Sequence, residues 1–122
     1  MPVPERHPSY DPDCLFCKIA AAEIPSDRVH ADDQVVVFRD INPRAPTHLL
    51  AISRRHIASA NDLTDADGDL LAALFTALRT AAADAGLKGY RVVTNVGPES
   101  GQSVFHLHLH LLGGRPMSWP PG

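Results

Sequence analysis

The segment Val104-Phe105-His106-Leu107-His108-Leu109-His110-Leu111 alternates apolar and imidazole side chains, and this constrains the chain more than anything else in it. Side chains on a β-strand point to opposite faces in turn, so the pattern predicts a strand over 104–112. Phe105, Leu107, Leu109 and Leu111 would then face the core, with His106, His108 and His110 together on the other side. Imidazoles two residues apart lie within several Å of each other, close enough to share a ligand. A face that merely meets water usually mixes Lys, Glu, Thr and Ser, which this one does not. On these residues alone, two chemical readings remain open. His-x-His can present two nitrogens to one metal ion, or an imidazole can act as a nucleophile when an acceptor holds its second nitrogen.

The preceding loop, Asn95-Val96-Gly97-Pro98-Glu99-Ser100-Gly101-Gln102-Ser103, is rich in Gly and small hydroxyls. Loops of this composition can aim backbone N–H groups at an anion. A phosphate-binding concavity beside imidazoles suggests phosphoryl or nucleotidyl transfer.

The chain around this strand reads as one domain of 122 residues. Residues 1–13 hold four of the eleven prolines and no apolar period, which predicts a flexible or loosely docked arm ahead of a domain over 14–122, with a tail at 114–122. Leu15, Phe16, Ile19 and Ala22 predict a helix of roughly two turns that ends before Pro25. Strands are expected at Arg28 to Ala31, Val35 to Phe38 and His48 to Ile52, as an antiparallel meander, and again at Tyr90 to Asn95. A long helix follows Asp62 or Thr64 as N-cap, carries Leu70, Leu71, Leu74, Phe75 and Leu78 as its apolar stripe, and stops near Gly86.

A net charge of -3 makes no electrostatic case for a nucleic-acid or membrane partner. The N-terminus, Met1-Pro2-Val3-Pro4-Glu5-Arg6-His7-Pro8, lacks the apolar run of a signal peptide, so a cytoplasmic location is expected. Cys14 and Cys17 are too close to staple much of the chain, and metal binding or redox chemistry explains the pair better. Trp119, the only tryptophan, sits in an irregular tail where a partner chain is the expected cover.

Gly101-Gln102-Ser103-Val104-Phe105-His106-Leu107-His108-Leu109-His110-Leu111-Leu112 resembles the signature of the histidine triad superfamily. Asp40-Ile41-Asn42-Pro43-Arg44-Ala45-Pro46-Thr47-His48, Gly89-Tyr90-Arg91-Val92-Val93-Thr94-Asn95 and the tail from Gly113 to Gly122 are similar to its Hint branch. The resemblance implies a homodimeric α+β fold with a five-stranded antiparallel sheet, one long helix and one short one. It also implies a purine nucleoside phosphoramidase that cleaves the P–N bond of adenosine 5′-phosphoramidates. By motif position, His108 would form a nucleotidyl-histidine intermediate, its other nitrogen oriented by a carbonyl of the same strand. His110 would hold a phosphate oxygen, Ser103 would lie near the departing amine, and His48 would support by hydrogen bonding.

Asp40 would serve the ribose hydroxyls and Asn95 the phosphate, with Ile41, Gly101 and Gln102 also among the substrate-binding residues. Leu15, Phe16, Ile19 and Phe38 would surround the base, with ordinary core as their other reading. Trp119 would pack across the dimer near the partner's site. Cys14-x-x-Cys17 looks like bacterial members in which two such cysteines join two histidines, here His56 and His106, around a structural zinc; catalysis would need no cofactor. Dinucleoside polyphosphate hydrolysis, nucleotidyl transfer and non-catalytic purine nucleotide binding are the alternative functions.

Overall fold

A computed structural model describes residues 6–122 of the chain. The elements run α1 (Leu15–Ala20), β1 (Arg28–Ala31), β2 (Val35–Arg39), β3 (Thr47–Ser53), α2 (Gly68–Asp84), β4 (Tyr90–Val93) and β5 (His108–Gly113). The strands form one antiparallel five-stranded sheet in the order β1-β2-β3-β5-β4, which is the expected α+β architecture. Strand β5 therefore lies between β3 and β4, with ladder bonds on both sides.

The sheet separates two apolar layers, as alternation along each strand requires. On one side Val35, Val37, Leu49, Ala51, Leu107, Leu109 and Leu111 pack under α2. On the other, Val36, Phe38, Leu50 and Ile52 pack with Phe16, Cys17 and Ile19 of α1. His48, His108 and His110 lie on the α1 side, because Ile52 pairs with His108, Leu50 with His110, and His48 with Leu112.

The structure corrects several sequence expectations and settles one choice they left open. The last strand starts at His108 and not at Val104, because its partner β3 ends at Ser53, one residue past the Ile52–His108 pair. Residues 104–107 have no ladder to join, and the Leu107 N–H bonds instead to the Ile57 carbonyl at 2.6 Å. Phe105 is thereby turned out of the core and is 49% exposed. On α2 the buried stripe is Leu70, Leu74, Ala77, Leu78, Ala81 and Ala82, so Phe75 is rotated outward; alanines let the helix approach the sheet closely. Thr64, and not Asp62, caps the entry to α2 through a capping box with Asp67 on the 3-10 turn Asp65–Asp67. Helix α1 ends at Ala20, and Ala22 lies beyond it at φ +61°.

Residues 1–5 of the expected arm lie outside the described residues. In the rest, Tyr10 reaches Glu23, the Ser9 hydroxyl accepts the His56 N–H at 2.7 Å, and Cys14 follows as the N-cap of α1.

Candidate active and metal site

Two side-chain clusters flank His108. In the first, Cys14 and Cys17 at the start of α1, His56 after β3 and His106 before β5 bring four donor atoms to one point. His106 Nδ1 lies 3.2 Å from Cys14 Sγ, 3.5 Å from Cys17 Sγ and 3.3 Å from His56 Nδ1, and Cys17 Sγ lies 3.3 Å from His56 Nδ1. Tetrahedral zinc with ordinary Zn–N and Zn–S bonds separates its ligands by about 3.3 to 3.8 Å, so the set has the right size. The chemistry fits as well. The His106 Nε2–H donates to the Ser53 carbonyl at 2.6 Å, which leaves Nδ1 with a bare lone pair aimed into the cluster, the arrangement zinc-bound histidines adopt. Burial keeps His106 neutral, its pKa pushed down to about 4, and pushes the Cys17 thiol up to about 11. A bound metal would replace the thiol proton.

His106 has a second duty. Its backbone carbonyl accepts the His108 Nδ1–H at 2.6 Å, so the lone pair of His108 is on Nε2. Burial also lowers the His108 pKa, only partly offset by that bond and by Asp40, which favours the neutral, nucleophilic ring. The Thr94 hydroxyl donates to the His108 carbonyl at 2.8 Å. Phe16 meets the His108 ring edge-on at 4.9 Å and Phe38 at 5.8 Å, so an aromatic wall stands beside the nucleophile.

The second cluster is Asp40, His48 and His110. His48 Nε2 lies 2.9 Å from His110 Nδ1 and 3.4 Å from Asp40 Oδ2, while the Arg44 N–H donates to His48 Nδ1 at 3.0 Å. Desolvation, with the His108 and His48 rings adding to it, brings the His110 pKa down to about 4, and burial lowers that of His48. Both rings are neutral near pH 7.

The remaining expected residues divide. Phe16, Ile19 and Phe38 are buried in the α1-side core, whereas Leu15 is exposed. Ile41 is 90% exposed and Trp119 81% exposed, with no cover in the single chain. Asn95 is half-buried; Ser103 and Gly101 are exposed. The Gln102 amide ties the loop to its surroundings: it donates to the Ala58 and Val104 carbonyls and accepts the Gly97 N–H. The N–H groups of Ser100, Gly101 and Gln102 bond back to Gly97 or Pro98 carbonyls. Together with Gly97, four N–H groups that the loop composition suggested for an anion thus hold the loop's own shape.

Ser53, Arg44 and Thr94 were not singled out from the sequence. The first two act through main-chain atoms, which no residue type announces, and Thr94 reads as an ordinary strand threonine.

Comparison with known proteins matches residues 13–119 to the family described as scavenger mRNA decapping enzyme C-term binding. A HIT family hydrolase from Legionella pneumophila has a solved structure that superposes with a TM-score of 0.88 at 54% identity, covering 90% of this chain and 100% of that one. An uncharacterized HIT-like protein from Synechococcus elongatus is 48% identical over 111 residues, 90% of this chain and 97% of its own. A 14 kDa zinc-binding protein from Zea mays is 45% identical over 115 residues, 92% and 90% of the two chains.

Proposed function

Because the chain belongs to the histidine triad family, we propose that it is a nucleotide hydrolase of the Hint branch that cleaves the P–N bond of adenosine 5′-phosphoramidates, AMP-amine or AMP-lysine in type. The observation that carries the reading is the fixed tautomer of His108, whose Nδ1–H is held by the His106 carbonyl at 2.6 Å. The free Nε2 lone pair attacks phosphorus as the P–N bond breaks, and the amine departs with a proton taken from solvent, which the water of the second step returns. Ser103 stands on the leaving-group side. Water then attacks the phosphorus of the nucleotidyl-His108 intermediate, the P–N bond to the ring breaks, and AMP leaves with the imidazole restored. Dividing one hard displacement into two is the usual gain of covalent catalysis. His110 steadies a phosphate oxygen, Asp40 the ribose, and Asn95 the phosphate, with the base beside Phe16 and Phe38.

The cofactor is a structural zinc ion, held by Cys14, Cys17, His56 and His106. When bound, it cross-links the start of α1 to the segments that follow β3 and precede β5. We also take the functional unit to be a homodimer, in which the exposed Trp119 meets the partner subunit.

The test is turnover of an adenosine phosphoramidate against a diadenosine polyphosphate, by the wild type and by His108→Ala. Hydrolysis of the first substrate with little of the second is expected, and the variant should lose about four orders of magnitude or more in kcat. Equal activity in the variant would end this mechanism, and preference for the polyphosphate would move the chain to a different nucleotidyl chemistry.

A further inference from the structure

The side chain of Arg115, in the tail, donates from Nε and Nη2 to the Arg44 carbonyl, each at 3.1 Å. The Arg44 N–H, in the peptide group that precedes this carbonyl, donates to His48 Nδ1 at 3.0 Å, and His48 Nε2 meets His110 Nδ1 at 2.9 Å. A peptide N–H can only donate, so His48 Nδ1 is an acceptor. A neutral imidazole has one N–H, which places the His48 proton on Nε2. One proton serves the contact between two facing ring nitrogens, and His48 supplies it. His110 Nδ1 is then the acceptor, and the His110 proton is on Nε2.

We propose a relay in which His48 sets the tautomer of His110 and the main chain at residue 44, anchored by Arg115 through the Arg44 carbonyl and offering its N–H to His48, sets that of His48, so that a neutral His110 presents an Nε2–H donor to a phosphate oxygen of the substrate. His48 and Arg115 are positioning residues in this scheme, since they act through His110. The alternative tautomer would present a lone pair to the phosphate, and two acceptors would face each other. Burial and the adjacent rings keep His110 uncharged near neutral pH, so the orientation of its one proton decides whether it attracts or repels an oxyanion. Asp40 Oδ2, 3.4 Å from His48 Nε2, reinforces the arrangement, because a carboxylate also requires a proton on that nitrogen. The tail is thereby joined to the phosphate side of the site by main-chain and side-chain bonds within one subunit.

The proposal rests on the phosphate role given to His110 above, and the experiment separates the two. Long-range 15N–1H correlation spectra of the full-length, zinc-loaded protein report which ring nitrogen carries each proton. Nε2–H signatures for both His48 and His110 are expected, and an Nδ1–H on His110 overturns the relay. His48→Gln keeps an N–H donor for His110 and should hold AMP affinity and kcat within about tenfold. His48→Leu removes the donor and should lower kcat about 100-fold.

His48→Glu offers an acceptor, so it should reverse the His110 tautomer and cost more than His48→Leu. A His110 proton that stays on Nε2 in a folded His48→Glu protein overturns the proposal; if that variant does not fold, the wild-type spectrum and the Gln and Leu pair decide. Arg115→Ala should weaken AMP binding severalfold with the His108 tautomer unchanged, and unaltered AMP binding removes Arg115 from the relay. Tautomers as stated in a wild type that is inert toward phosphoramidates would sustain the relay and overturn the activity.

Discussion

The two clusters beside His108 contain similar donor atoms, yet they have opposite chemical characters. Cys14, Cys17, His56 and His106 form one; Asp40, His48 and His110 form the other, and in both the ligand-type atoms lie within 4.8 Å of one another. The difference comes from the main chain. At His106 a carbonyl, that of Ser53, takes the ring proton and leaves a lone pair facing the cluster. At His48 an N–H, that of Arg44, takes the lone pair and leaves a proton facing the cluster. Lone pairs bind metal, whereas protons make hydrogen bonds. Side-chain inventory alone therefore misjudges such sites, and the backbone partner of each ring settles what it can hold.

If this contrast is right, the same kind of damage should have different consequences on the two sides. The largest effect is expected from Cys17→Ser: zinc content falls from about one ion per chain, measured on protein purified without chelator, and Tm drops by on the order of 10 °C or more. Wild-type protein without near-stoichiometric zinc would collapse the comparison.

Next comes His110→Ala, which should lower kcat by about 10² to 10³ while zinc content stays unchanged and Tm moves by only a few degrees. Loss of metal in that variant would show that the clusters are not separable.

Acid should strike the relay side through His110. Burial and the neighbouring rings push its pKa down to about 4, below the ordinary histidine value near 6.5, so the unfolded chain binds more protons between those limits. Its contribution to stability is complete above about pH 6.5 and is lost as pH falls toward 4, with a slope of up to about 1.4 kcal/mol per pH unit. Denaturant melts at pH 7, 5.5 and 4.5 measure it, and His110→Gln should remove its share of the slope. An unchanged slope would mean that the relay side carries none of the acid sensitivity.

The smallest effect is expected from Thr94→Val. Loss of the hydroxyl bond to the His108 carbonyl should cost about 1 kcal/mol and less than tenfold in kcat, read by melts and steady-state rates.

The same contrast explains what could be read from the sequence. Period-two apolar runs and the long amphipathic helix placed the sheet and α2, because burial on one face leaves a repeating trace in the residue order. Phe105 and Phe75 broke the pattern for reasons outside their own segments: β3 stops at Ser53, and the sheet lies close enough to α2 to select alanines. The Cys14-x-x-Cys17 pair announced a metal or redox site, but family resemblance was needed to add His56 and His106. His48 was legible only as a supporting residue. Its partner, the Arg44 amide, left no trace, since every residue except proline carries the same group.

That last feature also limits what mutagenesis can see. The Ser53 carbonyl, the His106 carbonyl and the Arg44 N–H orient three rings, and all three survive replacement of their own side chains. An alanine scan would pass over these positions as protonation determinants, even if it scored His106 for its imidazole. Only a change in the covalent backbone, such as an ester in place of the Arg44 amide, would silence one of them directly. The site's proton arrangement is in that sense encoded in shape, and it should tolerate drift in side-chain identity wherever the chain keeps its path.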